Sequence, residues 1–532
     1  MLVRANFVDV FNRKIFPAEV DIVNGFIAQI NPIDEPTEYY ILPGFVDAHV
    51  HIESSLMVPS QFATMAVQHG TVATVSDPHE IANVLGVDGV KYMIEEGKTV
   101  PFKFFFGAPS CVPATNFETA GAVIGVDEVK ELLSMPEVKY LAEMMNYPGV
   151  LFDDADVWAK INAAHQVNKL VDGHAPGLRG DELKKYLSAG ITSDHECFTL
   201  DEALEKLELG MKVLIREGSA ARNFNDLIPA LQQYPQHIMF CSDDKHPDSL
   251  LEGHINLLCK RAIELGYSLF DVLMAACVHP VMHYQLPVGL LRVGDSADFI
   301  LVNNLTDFKV IKTVVNGTAV FENGEVLFHP QPAQAPNQFN IQPIISNDLS
   351  YEPEHEEQVI VCYDGQLITG KETVAAHALT PQNHIHKIVV VNRYAPAKVA
   401  VAYVKNFGLT KGAIASSVAH DSHNIVAVGC DDESLCLAIN EVIKHKGGLS
   451  ATDGKNVWCL PLPVAGLMSI EPAPVVTENY IAIDKVAKEK LGSGLRAPFM
   501  SLSFMALLVI PYLKLSDLGL FDGDGFSFVR KT

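Results

Sequence analysis

Short apolar runs alternate with amphipathic helical stretches through the central part of the chain. This alternation is typical of βα units that build a parallel sheet. We predict eight strands here: Ile41 to Val50, Thr71 to Ser76, Phe102 to Gly107, Val138 to Met144, Leu170 to Gly173, Ile191 to Ser193, Lys212 to Ile215 and His237 to Cys241. Eight units over about 240 residues match a (β/α)8 TIM-like barrel, whose usual size is about 250 residues. A doubly wound sheet would place a glycine-rich phosphate turn after its first strand, and none follows Val50.

The two flanks of this segment carry runs with the two-residue period of β-strands. On the N-terminal side, Asn24-Gly25 separates two such runs and predicts a hairpin. Similar runs follow Gly289, so we expect the chain to leave a small sheet at Pro43 and to return to it later. We therefore predict an α/β protein with three domains: a discontinuous β-sandwich domain (1–42 plus 288–335), a metal-dependent (β/α)8 barrel (43–287) and an additional C-terminal α/β domain (339–532).

The composition narrows the classes of partner. The formal charge of −25 would repel nucleic acid and anionic membrane surfaces over most of the exterior, so neither partner is expected. Nine cysteines form no C-x-x-C pair, which argues against a zinc knuckle or a secreted disulfide framework. The first residues lack an apolar segment with a small-residue cleavage site, so we expect no signal peptide and a cytoplasmic location. A small neutral substrate suits this balance of charges.

Polar side chains gather where the predicted barrel strands end. His49 and His51 are two residues apart in a strand and therefore project from one face. In a parallel barrel, functional groups collect at the carboxyl ends of the strands. The residues that close the other strands are Asp77-Pro78-His79-Glu80, Glu143, His174, Asp194-His195-Glu196, Arg216-Glu217 and Asp243-Asp244. Each alone has an ordinary explanation as a loop charge or a helix start, but together they put several imidazoles and carboxylates at one end.

Such a set of side chains suits one or two divalent ions. The Glu143 carboxylate can bridge two ions, and Asp243 can hold a metal-bound water. Because the ion lowers the pKa of that water toward neutrality, Asp243 can accept its proton as general base. The expected product is a hydroxide nucleophile.

Several runs resemble the amidohydrolase superfamily. They are P-G-F-V-D-A-H-V-H at 43–51, the single histidines that end strands five and six, the aspartate that ends strand eight, and G-x-L-x-x-G-x-x-A-D at 289–298. The sequence is most similar to the adenine deaminase family within it. The runs that carry this closer resemblance are S-D-P-H-E-I-A-N-V-L-G at 76–86, L-A-E-M-M-N-Y-P-G-V at 141–150, D-G-H-A-P-G at 172–177, S-D-H-E at 193–196, R-E-G-S at 216–219, C-S-D-D-K-H-P at 241–247 and G-A-I-A-S-S-V-A-H-D-S-H-N at 412–424. The resemblance covers essentially the whole chain.

The resemblance implies hydrolytic deamination of adenine to hypoxanthine and ammonia by a metal-bound hydroxide that attacks C6. It implies two divalent metal ions per subunit, with manganese or iron favoured and zinc also accepted. The ligands carried over by position are His49, His51, Glu143, His174, His195 and Asp243.

The same resemblance suggests roles for the remaining residues. The expected catalytic residues are Asp243, which relays a proton, and Glu143 or Glu80, one of which protonates N1 of the purine. The residues expected to bind the substrate are Asp77, His79, Asp244, Arg216 and Glu217. The partners implied are adenine, water and further copies of the chain in a homodimer or higher homo-oligomer.

Some alternatives stay open at this point. A cyclic amide hydrolase of the dihydropyrimidinase or hydantoinase kind would use the same metal layout, although the paired Asp243-Asp244 suits an aminopurine better. A non-catalytic scaffold protein on this fold is expected to lack one or more of the predicted metal ligands. All six of them are present, which argues against this alternative. Many superfamily members bridge their metals with a lysine, but Lys139 lies four residues before Glu143, so we favour the glutamate. The polar loop from Ser416 to Asn424 either covers the barrel or contacts another subunit.

Overall fold

The central segment forms a closed parallel barrel. The structure is a computed structural model that describes residues 1–219 and 221–532. The eight barrel strands, numbered one to eight in chain order, are Phe45–Val50, Thr71–Ser76, Lys103–Ala108, Val138–Met144, Leu170–Gly173, Ser193–Asp194, Lys212–Arg216 and Ile238–Cys241. Strands one to five form one parallel sheet and strands six to eight another. Two parallel bridges, Val171 to Ile191 and Val50 to Asp243, join the two sheets. The predicted α/β barrel fold is thereby confirmed.

Strand one starts later than predicted. The run expected as a single strand from Ile41 to Val50 is divided, because Tyr40–Pro43 belongs to a separate sheet and only Phe45–Val50 belongs to the barrel. Gly44 lies at the division, where a Cβ atom would come within 2.3 Å of the Val72 side chain. Strands two, four and five have the predicted bounds, and strands three, six, seven and eight are shifted or altered in length by one or two residues.

Helices surround the barrel and cover its outer face. They are Pro59–Ala66, His79–Leu85, Val87–Gly97, Val126–Ser134, Tyr147–Leu151, Ala155–Gln166, Gly180–Ser188, Leu200–Glu208, Phe224–Leu227, Ala230–Gln233, Pro247–Glu252, Ile255–Glu264, Leu269–Leu273 and His279–Tyr284. Strands one and two are buried along their whole length, as expected for a parallel sheet that helices cover. This explains why their sequences read as nearly continuous apolar runs.

The two ends of the barrel segment join one eight-stranded sheet. In spatial order its strands are Glu325–Val326, Thr318–Glu322, Val310–Val315, Phe299–Val302, Tyr40–Pro43, Leu2–Asp9, Lys14–Val23 and Phe26–Pro32. Phe299–Val302 pairs antiparallel with Tyr40–Pro43, so the chain returns to the sheet that it left. The exact boundaries of the three domains stay a prediction.

The C-terminal part contains a second large sheet. In spatial order its strands are Thr369–Ala375, Glu356–Cys362, Ala400–Lys405, Ile385–Val391, Ile425–Gly429, Ala413–Ser416, Gly448–Thr452 and Val457–Pro461. A three-stranded sheet follows, with strands Leu513–Ser516, Gly519–Asp522 and Ser527–Lys531. The helices are Asp432–Lys444, Ala473–Lys485 and Pro498–Phe504. This mixture of strands and helices agrees with the predicted α/β class.

Within residues 1–219 and 221–532, none of the helices has both the length and the apolar character needed to span a bilayer.

Candidate active site

The two histidines at the end of strand one point at the same spot. Their Nε2 atoms lie 3.2 Å apart, and both side chains are buried. His51 Nδ1 lies 3.1 Å from the carbonyl oxygen of Asp77. Because a carbonyl can only accept, Nδ1 carries the ring proton and donates it, which leaves a free lone pair on Nε2. A metal-ligating histidine typically has this arrangement.

Glu143, at the end of strand four, is the centre of the cluster. Its Oε2 atom lies 2.7 Å from His174 Nδ1 and 3.0 Å from His195 Nε2. Its Oε1 atom lies 3.5 Å from His51 Nε2 and 3.3 Å from His79 Nδ1. Burial alone would raise the pKa of this carboxyl, but His174 and His195 hold it well below the ordinary value. Glu143 is therefore a carboxylate with a different set of imidazoles at each oxygen.

Asp243 follows strand eight and is fixed from behind by a guanidinium. Its Oδ1 atom lies 3.3 Å from His51 Nε2 and 3.7 Å from His49 Nε2. Its Oδ2 atom accepts a 2.6 Å hydrogen bond from Arg216, which also binds the Glu196 carboxylate. Burial opposes ionisation, yet the Arg216 charge holds the pKa of Asp243 well below its usual range. Asp243 is thus an oriented carboxylate.

The donor set fits a divalent metal ion. Ligand atoms of His49, His195 and Asp243 all lie within 4.8 Å of one another, and so do those of Glu143, His174 and His195. The six residues predicted as ligands are therefore brought together at the carboxyl end of the barrel, which we call the mouth. His174 Nε2 is buried and has no hydrogen-bond partner in the described part of the chain. Imidazole and carboxylate donors of this kind bind transition-metal ions such as zinc, manganese and iron.

Three of the residues predicted to meet the substrate form a second layer at the mouth. His79 Nδ1 lies 3.2 Å from Asp77 Oδ2, and His79 also contacts Glu143. Asp244 accepts a 2.5 Å hydrogen bond from Ser54 Oγ. These buried polar groups lie directly above the ligand cluster. They can recognise the polar edge of a small molecule.

The comparisons with known proteins agree with this geometry. The amidohydrolase family matches residues 40–320, and the adenine deaminase C-terminal domain matches residues 366–527. A protein of Sulfurovum sp. (strain NBC37-1) named adenine deaminase is 55% identical, and the match covers 99% of each chain. Proteins with the same name from Salinibacter ruber and Methanosarcina mazei are 53% and 50% identical, over 99% and 98% of this chain and 98% of each relative. The chain belongs to the adenine deaminase family.

The part of the chain that matches the adenine deaminase C-terminal domain reaches the mouth of the barrel. Residues 416–424, which we call the mouth loop, place His420 Nδ1 2.5 Å from Glu80 Oε1. Asp421 Oδ1 lies 3.7 Å from His79 Nε2, and His423 contacts the second oxygen of Glu80. The first alternative left open for this loop is therefore the observed one. Its histidines were missed as site residues because no local pattern reveals which distant surface a loop covers.

Not every predicted residue faces the cluster. The Glu217 carboxylate forms a 2.6 Å ion pair with Arg261, and its role in substrate binding stays a prediction. Arg216 binds the carboxylates of Glu196 and Asp243, and its contact with the substrate stays a prediction. Lys139 Nζ donates to the Pro136 carbonyl, 2.7 Å away, which leaves Glu143 as the central group of strand four.

A buried pair beneath the cluster was also missed. Asp47 Oδ2 lies 2.7 Å from His254 Nε2, and Asp47 Oδ1 accepts from the backbone N–H of Ser242 at 3.0 Å. This pair joins the ends of strands one and eight directly below His49 and Asp243. The residue pattern gave no signal for it, because Asp47 and His254 are distant in the sequence.

The space left at the mouth is small. A cavity of about 30 Å³ is lined by the cluster residues and closed by C-terminal side chains, among them Leu367, His420 and Leu507. Such a volume holds a water molecule or two.

Proposed function

We propose that this member of the adenine deaminase family deaminates adenine hydrolytically to hypoxanthine and ammonia. The observation that carries the proposal is the buried cluster of imidazoles and carboxylates around Glu143, with further carboxylates above it. The names of the three relatives support the same substrate.

A divalent ion held by the cluster would lower the pKa of a water molecule toward neutrality and make it a nucleophile. Asp243 would accept the proton of the attacking water, since Arg216 keeps its carboxyl ionised and oriented. The water oxygen then bonds to C6, and its two protons pass through Asp243 to the exocyclic nitrogen and through a second carboxylate to N1. The bond from C6 to the exocyclic nitrogen breaks, and that nitrogen leaves as ammonia.

We propose that the cluster would hold two divalent ions per subunit and that Glu143 would be a ligand to both. The support is that Oε2 faces His174 and His195, whereas Oε1 faces His51 and His79. The candidate ligands are His49, His51, Glu143, His174, His195 and Asp243. The donor set accepts manganese, iron or zinc, and the family resemblance is our reason for favouring manganese or iron.

The groups at the mouth would recognise and protonate the purine. Glu80, whose side chain is buried beside His79, is the group that we assign to proton delivery at N1, with Glu143 as the second candidate. Asp244 and the Asp77–His79 pair would bind the polar edge of the ring. A site of this kind discriminates strongly, because an analogue that lacks a partner leaves a buried polar group unpaired.

Two site variants test the assignment of the cluster. Asp243→Asn removes the proton acceptor but keeps the side-chain shape, so kcat for adenine should fall by about 10² or more. His49→Ala should lower both the bound metal and the activity. Full activity in either variant, measured beside metal content, would contradict the roles proposed for Asp243 and His49.

A cytoplasmic location and a homo-oligomeric state stay predictions, and light scattering tests the second.

A further inference from the structure

The two oxygens of the Glu80 carboxylate are each contacted by an imidazole from the mouth loop. Oε1 lies 2.5 Å from His420 Nδ1, and Oε2 is in contact with His423 Nε2. Glu80 belongs to the barrel and both histidines belong to the C-terminal part, more than 300 positions later in the sequence. All three side chains are buried. A carboxylate held in this way cannot turn freely.

The proton on His423 is placed by the loop itself. Its Nδ1 accepts a 3.2 Å hydrogen bond from the backbone N–H of Ala419. The ring proton of the neutral imidazole must then be on Nε2, which faces Glu80. Apart from their contact with each other, His423 Nε2 and Glu80 Oε2 have no hydrogen-bond partner in the described residues. His423 Nε2 therefore faces this one carboxylate oxygen with a proton that it can donate.

His420 lies between two carboxylates of the mouth. Its Nε2 atom is 4.0 Å from Asp244 Oδ1, on the opposite side of the ring from Glu80. The backbone N–H of His420 donates to Ser503 Oγ at 3.1 Å, and its ring packs on Phe504 with centroids 5.3 Å apart. The helix Pro498–Phe504 thus fixes the position of the His420 imidazole.

We propose that His420 and His423 are positioning residues that orient the Glu80 carboxylate, which accepts one proton of the attacking water and passes it to the substrate ring. This proposal rests on the proposed function. It gives the C-terminal domain a defined task, since the barrel supplies the proton-transfer group and the C-terminal domain supplies its orientation. A displacement of a reacting group by about 1 Å can cost about 10²-fold in rate. Loss of the orienting contacts should therefore appear in kcat.

The geometry predicts a crossed pattern of rescue. A glutamine places its amide nitrogen near the position of Nε2 in histidine, and an asparagine places it near Nδ1. His423 uses Nε2, so His423→Gln should stay within about fivefold of wild type, whereas His423→Asn and His423→Leu should lose about 10- to 100-fold in kcat. His420 uses Nδ1, so His420→Asn should retain more activity than His420→Gln. The KM for adenine should change much less than kcat.

Three controls separate this proposal from simpler explanations. Metal content should match wild type in all four His-to-amide variants, because neither histidine is a proposed ligand, and the thermal midpoint of each variant shows that kcat is measured on folded protein. In a Glu80→Gln background, His423→Leu should cause little further loss, because both changes act on one group. Equal losses in the Gln and Asn variants, or an unchanged kcat in His423→Leu, would overturn the positioning role alone. A wild-type protein that does not deaminate adenine would overturn the proposed function, and the positioning role with it.

Discussion

At the scale of single residues, the site depends on buried charges that compensate one another. Arg216 is buried, and its guanidinium contacts both Glu196 and Asp243. Removing one partner of such a group leaves the others buried and unpaired, which typically costs about 3–5 kcal/mol, on the order of a whole domain's margin of stability. We therefore expect Arg216 both to stabilise the fold and to orient the Asp243 carboxylate.

We predict that Arg216→Met lowers the free energy of unfolding by about 3–5 kcal/mol and abolishes measurable adenine turnover. Chemical denaturation and the ammonia assay would check the two effects. The matched control is Arg179→Met, since Arg179 pairs with Glu205 at the surface and exposed pairs contribute little. Similar free energies of unfolding in the two variants would show that the buried contacts of Arg216 do not stabilise the fold more than a surface ion pair does.

A second residue-scale prediction concerns Lys514. It is buried and donates to the carbonyl oxygens of Leu367 and Phe504, and burial lowers its pKa to about 7. Between this value and the ordinary value of 10.5, the unfolded chain binds a proton that the folded chain does not. Stability contributed by this group therefore rises with pH across that window, by up to about 1.4 kcal/mol per pH unit.

Between pH 7.5 and pH 9, we expect the free energy of unfolding of wild type to rise by about 2 kcal/mol relative to that of Lys514→Met. This expectation holds whichever protein is more stable at the lower pH. Urea unfolding at the two pH values would measure it. A stability difference that stays constant with pH would contradict the lowered pKa.

The sequence predicted the residues of the site that close barrel strands, because a strand end is visible in a local pattern. His49, Glu143 and Asp243 belong to this group. The ion pair of Glu217 with Arg261 was not predicted, because the two residues are distant in the sequence. His420 and His423 were beyond prediction, since their role depends on where two distant parts of the chain dock.

At the scale of elements, the junction between the small sheet and the barrel decides where strand one begins. The apolar run from Ile41 to Val50 looks like one strand, because two strands of different sheets follow each other with only Gly44 between them. The side chain of Val72 occupies the space beside Gly44. The break thus depends on packing from strand two, which a local pattern does not contain.

We predict that Gly44→Ala destabilises the protein by about 1–3 kcal/mol, the usual cost of an added methyl group in a packed core. Gly494→Ala is the control, since no atom lies within 4 Å of the Cβ that it would add. Thermal unfolding of the two variants would compare them. Equal thermal midpoints in the two variants would mean that the Val72 side chain moves aside without any loss of stability.

At the scale of the whole molecule, the C-terminal part closes the barrel mouth. Leu367, His420 and Leu507 approach the cluster from outside the barrel, and the space beneath them is about 30 Å³. The sequence showed that a third α/β unit exists, but it left open whether that unit covers the mouth. We therefore expect the C-terminal part to control access of a substrate to the cluster.

We predict that a non-hydrolysable purine slows amide hydrogen exchange in residues 363–368 and in the mouth loop. The reason is that these segments must open to admit the ring and then pack against it. The helix Leu200–Glu208, on the outside of the barrel, serves as internal control and should not change. Unaltered exchange in both mouth segments would place the entrance elsewhere.

The most direct test of the proposed deamination is the substrate preference of the metal-reconstituted protein. Adenine and dihydrouracil are each incubated with it, and ammonia, hypoxanthine and the ring-opened amide product are measured over time. We predict one hypoxanthine and one ammonia for each adenine consumed, loss of this turnover after chelation, and no conversion of dihydrouracil. Conversion of dihydrouracil without release of ammonia from adenine would contradict the proposed function.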